Sequence, residues 1–361
     1  MVTLQMIQEA QESLKGIARK TPLENANRLG ENIYIKSENL QLTGAFKIRG
    51  AYNKIRSLTP EEASHGVIAC SAGNHAQGIA LSATKLGIKS VICMPEGAPI
   101  SKVEATRSYG AEVCLVPGVY DDAYAKAVEL QQQHGYTFVH PFDDPKVIAG
   151  QGTIGLEILE QLPDVDAVVV PIGGGGLISG VAFAIKTLRP EIKVYGVQSS
   201  GAPSMAASLQ EGHIARLSEV STIADGIAVK EPGVNTFEMC NKYVDEVVTV
   251  SDEEIAAAIL ALTEQLFHFF LKGSSIYRRG LELLSLSRQL IELLKAYLPS
   301  VQPVAVIFSV RHNLKRQHLK AKPIRHFLRQ VAGRISHYHI FFTHIASFLP
   351  VIFFINGNII P

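Results

Sequence analysis

Four consecutive glycines, Gly173, Gly174, Gly175 and Gly176, stand directly after the apolar stretch 167–172 and directly before a helix-compatible run that opens at Leu177. Glycine loses more backbone freedom on ordering than any other residue, so four in succession belong where the chain must come close to a ligand. At a strand-to-helix junction the ligand such a loop suits is a phosphate, wrapped by bare amides at the positive end of the helix dipole. The surrounding pattern agrees with a layered fold. Residues 33–38, 66–71, 90–94, 112–116, 167–172 and 193–198 read as short buried strands, with helical periodicity between most of them. That alternation predicts an α/β protein of parallel sheets with helices on both faces. The spacing divides it into a large domain, 1–65 with 144–266, and a smaller unit, 66–143, inserted within it. A dinucleotide fold is a poorer reading of the glycines. Leu177 stands where the second glycine of GxGxxG would fall, and Gln198 stands where a ribose-binding acid is expected.

Two further stretches carry chemistry. In TGAFKIRGA, residues 43–51, Lys47 lies between a turn at Gly44 and an apolar helical run. Such a setting holds an amine against a pocket wall, where burial and a neighbouring cation, with Arg49 the candidate, lower its proton affinity enough for carbonyl chemistry and later base work. In SAGNHAQG, residues 71–78, a small-residue turn between a strand and a helix start exposes backbone N–H groups, and Ser71, Asn74 and His75 add side-chain donors. This is a cradle for a carboxylate or a ring oxygen.

Together and in this order, the three motifs resemble the fold-type II (tryptophan synthase β-like) family of pyridoxal 5'-phosphate enzymes. Within it, the threonine and serine dehydratases are the nearest, most of all the short catabolic threonine dehydratases, with the serine racemases close beside them. The likeness runs from about residue 21 to 266. It implies a two-domain enzyme with its site in the cleft between the domains, assembled as a dimer or tetramer. The implied reaction is the deamination of L-threonine, and of L-serine, to 2-oxobutanoate or pyruvate and ammonia by α,β-elimination, in threonine catabolism or isoleucine biosynthesis. Lys47 would hold the cofactor aldehyde and then take the α-proton. Phe46 would pack against the cofactor ring, Asn74 would meet the ring hydroxyl, and Gly173, Gly174, Gly175, Gly176 and Leu177 would form the phosphate cup. Ser71, Ala72, Gly73, Asn74 and His75 would receive the substrate carboxylate. In serine racemases the residue matching Ser71 is proposed as an acid or base, and a plain hydrogen-bond donor is the equal alternative.

Some relatives bind a divalent cation beside a sequence like TIADG, here residues 222–226, with a glutamate just upstream. Asp225 with Glu219 set further back is a poor ligand set for a cation that prefers six or more oxygens, so no metal is expected and Asp225 reads as a turn or capping residue. Cys70, Cys93, Cys114 and Cys240 form no CxxC pair and read as buried reduced thiols of a cytoplasmic protein.

The chain changes character near Leu266. From Phe267 onward fall 13 of the 34 Lys and Arg, two of the 33 Asp and Glu, seven of the 12 His and four of the 29 Gly. Family members continue here with a glycine-rich helix start and then a strand ending in a Ser-Gly-Gly-Asn turn whose serine meets the pyridine nitrogen. Here Ser309, the nearest equivalent, is followed by Val310, Arg311 and His312. Residues 267–361 thus read as an out-of-frame tail that does not complete the large domain, and a catalytically impaired paralogue or damaged gene product is the non-enzyme alternative. The basic run 311–334 lacks a nucleic-acid module, and the apolar run 340–355, broken by His344 and Pro350, is short for a membrane anchor, which needs about 20 residues. Neither nucleic acid nor membrane is an expected partner.

Overall fold

The computed structural model describes residues 1–26, 29–259, 261–262 and 306–310. The basic and apolar runs of the tail lie outside them. Six strands form the larger sheet: β1 (Leu23–Asn25), β2 (Ile33–Ser37), β7 (Ala167–Pro171), β8 (Lys193–Ser199), β9 (Glu246–Val250) and β10 (Val306–Val310), in the order β1-β2-β10-β7-β8-β9. Four strands form the smaller one: β3 (Val67–Cys70), β4 (Ser90–Pro95), β5 (Glu112–Val116) and β6 (Thr137–Phe138), in the order β5-β4-β3-β6.

The small sheet is parallel throughout. Its central strands, β3 and β4, read as nearly unbroken apolar runs because both faces are covered. Val67, Ala69, Ile92 and Met94 face Ile79, Ala80 and Ala83 of α4 (Asn74–Leu86). The alternate residues Ile68, Cys70, Val91 and Cys93 face Ala123 and Ala127 of α6 (Tyr120–His134). The large sheet is parallel, as expected, in one half and antiparallel in the other. Strands β7, β8 and β9 are parallel, but β1 runs antiparallel to β2, and β10 runs antiparallel to both β2 and β7.

The position of β10 corrects an expectation, since one segment of the anomalous tail does enter the large sheet, between β2 and β7. Its direction sets Ser309 opposite Val168 and Tyr34. The glycine run follows Pro171, at the other end of β7.

Three helices start at the site and one supports them. Helices α2 (Lys47–Ile55) and α4 start at the two sequence motifs, α8 (Gly176–Leu188) starts inside the glycine run, and α7 (Pro145–Gln161) lies between α2 and α8. Helix α7 begins with an Asp-Pro signal: the Asp144 carboxylate accepts from the N–H groups of Lys146 and Val147, and Pro145 fills the first helical position. The packing of α7 is at backbone distance. A Cβ on Gly150 would lie 2.5 Å from the Arg49 carbonyl oxygen and 2.6 Å from the Gly50 Cα. On the opposite side, a Cβ on Gly180 of α8 would lie 2.4 Å from the Ile148 carbonyl oxygen.

Helix α5 (Ile100–Ser108), with Tyr109 just after it, reaches from the small lobe across to the large one. Lys102 pairs with Asp225 at 2.9 Å, and the Tyr109 hydroxyl donates to the Leu42 carbonyl at 3.2 Å. Asp225, which opens a 3-10 turn (Asp225–Ile227), thus spends its carboxylate on an inter-lobe ion pair. Among the described residues, no helix is long and apolar enough to cross a membrane.

The close α2–α7 contact yields a test. Gly150→Ala gains up to about 1 kcal/mol of helix propensity but must push α2 away, so a net loss of about 1–2 kcal/mol is expected in denaturant unfolding. Gly97→Ala, whose new methyl group meets nothing within 4 Å, should stay within about 0.5 kcal/mol of the parent.

Candidate active site

Lys47 is the first residue of α2. Its side chain is half-buried as a whole, but the amine lies deep, donates to the Pro141 carbonyl at 2.7 Å, and sits 5.3 Å from the centre of the Phe46 ring. Burial lowers its pKa from the ordinary lysine value to about 8. The sequence suggested that Arg49 would share in this effect. The structure corrects that, because the Arg49 guanidinium points away into a buried pair of carboxylates, Glu38 and Glu157, and desolvation is the cause that operates.

The turn at residues 71–75 lies at the carboxyl end of β3 and the start of α4. Ser71 Oγ accepts from the Gly73 N–H at 3.2 Å, and Asn74 is the first helical residue, half-buried. His75 is placed differently from the donor role read in the sequence. Its ring is buried and its Nε2 meets the Val139 carbonyl at 2.8 Å. A carbonyl only accepts, so Nε2 carries the hydrogen, and burial with Lys47 nearby pushes the pKa down to about 3, keeping the ring neutral. Residue 75 therefore offers the turn its backbone N–H.

The glycine run turns through a left-handed Gly175, at φ +96°, into α8. The leading N–H groups of a helix have no intrahelical partner, so this end is open to an anion. The run is held in shape by neighbours that close on it. A Cβ on Gly174 would meet the Phe142 ring at 2.4 Å, and one on Gly175 would meet Thr236 and Met205 at 2.8 Å. Thr236, in α10 (Val234–Tyr243), donates its hydroxyl to the Gly174 carbonyl at 2.6 Å. Asp143 accepts from the N–H groups of Val234 and Thr236, capping α10 beside the loop.

Two contacts bring the three motifs together. Pro141 holds the Lys47 amine, and the next residue, Phe142, packs on the glycine run. Gly78 of α4 comes so close to the start of α2 that a Cβ there would lie 3.1 Å from the Lys47 carbonyl carbon. Pro141, Phe142, Asp143 and Thr236 were not singled out from the sequence, although HPFDDP at 140–145 stands just ahead of the α7 start signal. His140 belongs to the same corner. Its Nδ1 accepts from the N–H groups of Phe142 and Asp143, so it is unprotonated there, and burial lowers its pKa. A buried amine of lowered pKa, an amide-lined turn and a helix start stripped of side chains are the donor set that a phosphorylated aldehyde requires.

Ser309 is not delivered to this corner by its strand, as its register opposite Val168 shows.

Residues 14–276 match the family described as pyridoxal-phosphate dependent enzyme. The chain is 58% identical over 269 residues to an L-threonine ammonia-lyase of Thermotoga maritima, covering 73% of this chain and 67% of that protein. It is 50% identical over 268 residues to a catabolic L-threonine dehydratase of Escherichia coli K12, covering 73% of this chain and 82% of that protein. Among solved structures, a threonine deaminase isoform from Solanum lycopersicum superposes with a TM-score of 0.70 at 44% identity, covering 73% of this chain and 78% of that one. Maize serine racemase superposes with a TM-score of 0.70 at 37% identity, covering 72% and 79%. The family match ends at residue 276, close to the break in composition. With that match spanning most of the chain, and with relatives more than half identical across it, the chain belongs to the family of pyridoxal-phosphate dependent enzymes.

Proposed function

We propose that the chain is an L-threonine ammonia-lyase that also accepts L-serine, working as a cytoplasmic homo-oligomer in threonine catabolism or isoleucine biosynthesis. Identity to an L-threonine ammonia-lyase at 58% over 269 residues supports the substrate. The observation that carries the chemistry is the Lys47 amine, buried against Pro141 beside the glycine run. In this reading, 1–65 with 144–266 form the cofactor domain and 66–143 the smaller one that closes on it.

Gly173, Gly174, Gly175, Gly176 and Leu177 would hold the phosphate of pyridoxal phosphate, Lys47 its aldehyde carbon, Asn74 its ring hydroxyl and Phe46 the face of its ring. When bound, the cofactor supplies a carbonyl for the substrate amine and a sink for the electrons left at Cα. The N–H groups of the 71–75 turn would fix the substrate carboxylate and so aim the Cα–H bond at Lys47. At the lowered pKa of about 8, roughly a tenth of Lys47 is neutral at pH 7, against roughly one in three thousand for an ordinary lysine. It therefore takes the α-proton near neutrality. Loss of the β-hydroxyl then gives an enamine, whose hydrolysis releases ammonia and 2-oxobutanoate. Ser71 stands at the turn as a hydrogen-bond donor, or as an acid or base in a racemase.

Two alternatives have specific support. The likeness to maize serine racemase keeps racemisation in view, and D-serine formation from L-serine measures it. The register of Ser309, together with the composition of 267–361, supports an out-of-frame tail that leaves the site without its pyridine-nitrogen partner. A threonine deamination assay on protein of verified intact mass separates an active enzyme from that impaired form.

Three outcomes are expected. Lys47→Ala abolishes ammonia release from threonine and the borohydride-reducible cofactor adduct while circular dichroism stays unchanged; an adduct surviving in the variant refutes the assignment. Gly175→Val weakens cofactor affinity by about 1.5–3 kcal/mol for each charge-assisted hydrogen bond lost, read from a cofactor titration. The third concerns pH. Because the folded pKa of Lys47 is depressed, the folded cofactor-free protein binds fewer protons than the unfolded chain between about 8 and the ordinary lysine value of 10.5, so its stability rises with pH across that window. Denaturant unfolding as a function of pH should show this rise in the wild type and lose that part of it in Lys47→Met.

A further inference from the structure

We propose that Arg49 is a positioning residue for the Lys47 amine, acting through the buried carboxylates of Glu38 and Glu157; the inference rests on Lys47 being the cofactor amine. Lys47 and Arg49 are two residues apart on the first turn of α2, so they leave the helix on roughly opposite sides. One side chain enters the cleft and the other the protein interior, where Arg49 is 1% exposed.

Every N–H of that guanidinium has an acceptor. Nε and Nη2 grip Glu38 at 2.9 and 2.8 Å, Nη1 and Nη2 reach Glu157 at 2.6 and 3.0 Å, Nη1 also meets Thr153 Oγ1 at 3.1 Å, and Nη2 meets the Arg19 carbonyl at 3.0 Å. Lys36, wholly buried, completes the cluster on Glu157 at 2.5 Å and on the Thr21 carbonyl at 2.6 Å. Burial opposes the charge on Arg49, but Glu38 and Glu157 outweigh it and hold the guanidinium charged.

Such a cluster is a costly way to fill a core, since well-packed apolar side chains of similar volume are often as stable or more so. What it adds is directional fixation, and the start of α2 needs that. The residue before it, Phe46, makes no side-chain cap, so the turn that bears the reactive amine lacks the usual anchor. The same guanidinium ties this turn to α7 through Glu157. Helix α7 in turn begins just after Pro141, whose carbonyl holds the amine. Both the backbone that carries Lys47 and the group that receives it are thus registered on one cation.

A cavity of about 390 Å³, lined in part by Arg49, Thr153 and Glu157 with Lys15 and Lys20 at its rim, adjoins the cluster. It has room for water to solvate the carboxylates when Arg49 is shortened, which favours variants that still fold.

The test uses the full chain. Arg49→Lys keeps the cation but loses the fork, and Glu157→Gln keeps the Glu38 grip. In cofactor-free protein, the pH dependence of Lys47 acetylation by acetic anhydride, read by peptide mass spectrometry, gives the midpoint of the amine. His75 and His140 are the titratable groups facing it, with Asp143 and Asp144 beyond His140, and neither substitution alters them. In Arg49→Lys the Lys47 midpoint should rise from about 8 toward that of an exposed lysine as water reaches the loosened turn. With cofactor and threonine, kcat should fall by about 100-fold, the scale of a misplacement of about 1 Å, while KM stays near the parent value. Glu157→Gln should move both quantities the same way by less, and it alone decides the matter if Arg49→Lys does not fold. A Lys47 midpoint that stays at the parent value in folded variants, with any activity loss tracking the loss of folded protein, overturns the inference. A wild-type borohydride adduct on another lysine would instead overturn the site reading beneath it.

Discussion

The contact on which the rest depends is backbone against backbone. Helix α7 meets α2 across Gly150 and Gly50, and meets α8 across Gly180, at separations that leave no place for a Cβ. Helix α2 starts at Lys47 and α8 at the glycine run, so α7 sets the spacing between the two. Each glycine costs up to about 1 kcal/mol of helix propensity relative to alanine, a cost offset by the contact that close backbone approach allows. Dispersion across such interfaces is steep with distance, which makes the spacing stiff as well as short.

Around that frame, charge is sorted by depth. On one side of α2 two cations and two carboxylates are buried together, with their hydrogen bonds satisfied. On the other side the Lys47 amine has a carbonyl and two neutral imidazoles beside it. This asymmetry leaves one group in the cleft cheap to deprotonate, while the charge that stabilises the helix start stays out of reach of substrate. The Lys102–Asp225 pair joins α5 to the 3-10 turn at Asp225–Ile227.

What could be read from the sequence was local. The glycine run, the Lys47 motif and the 71–75 turn each declare themselves within a few residues, because a strand-to-helix junction and its anion-binding end are built from neighbours in the chain. The central strands of the small sheet, β3 and β4, are legible too, being apolar on both faces. The groups that complete the site were not. Pro141 contributes a carbonyl, which any residue type possesses, and Thr236 reaches Gly174 across 62 positions. Arg49 was noticed, but its role was misread, because Glu157 lies 108 positions away and nothing local announces that a cation will be neutralised. Short strands such as β6 and β1 offer too few residues for a period-two pattern. The direction of β10 is a property of its neighbours, which no periodicity encodes.

That direction also bears on the order in which the molecule can form. Strand β2 does not touch β7; the slot between them is filled by Val306–Val310, so Ile33–Ser37 pairs with a strand from the opposite end of the described chain. During synthesis the small sheet, assembled from consecutive segments, can be complete while the large one still lacks its interior strand. Until that strand arrives, the facing edges of β2 and β7 present unpaired N–H and C=O groups to the solvent and to other chains. The closing contact joins residues 33–37 to residues 306–310, a long separation in sequence, and is therefore slow to find. The nascent protein thus passes through a stage in which one of its unpaired edges belongs to β7, the strand that leads into the glycine run.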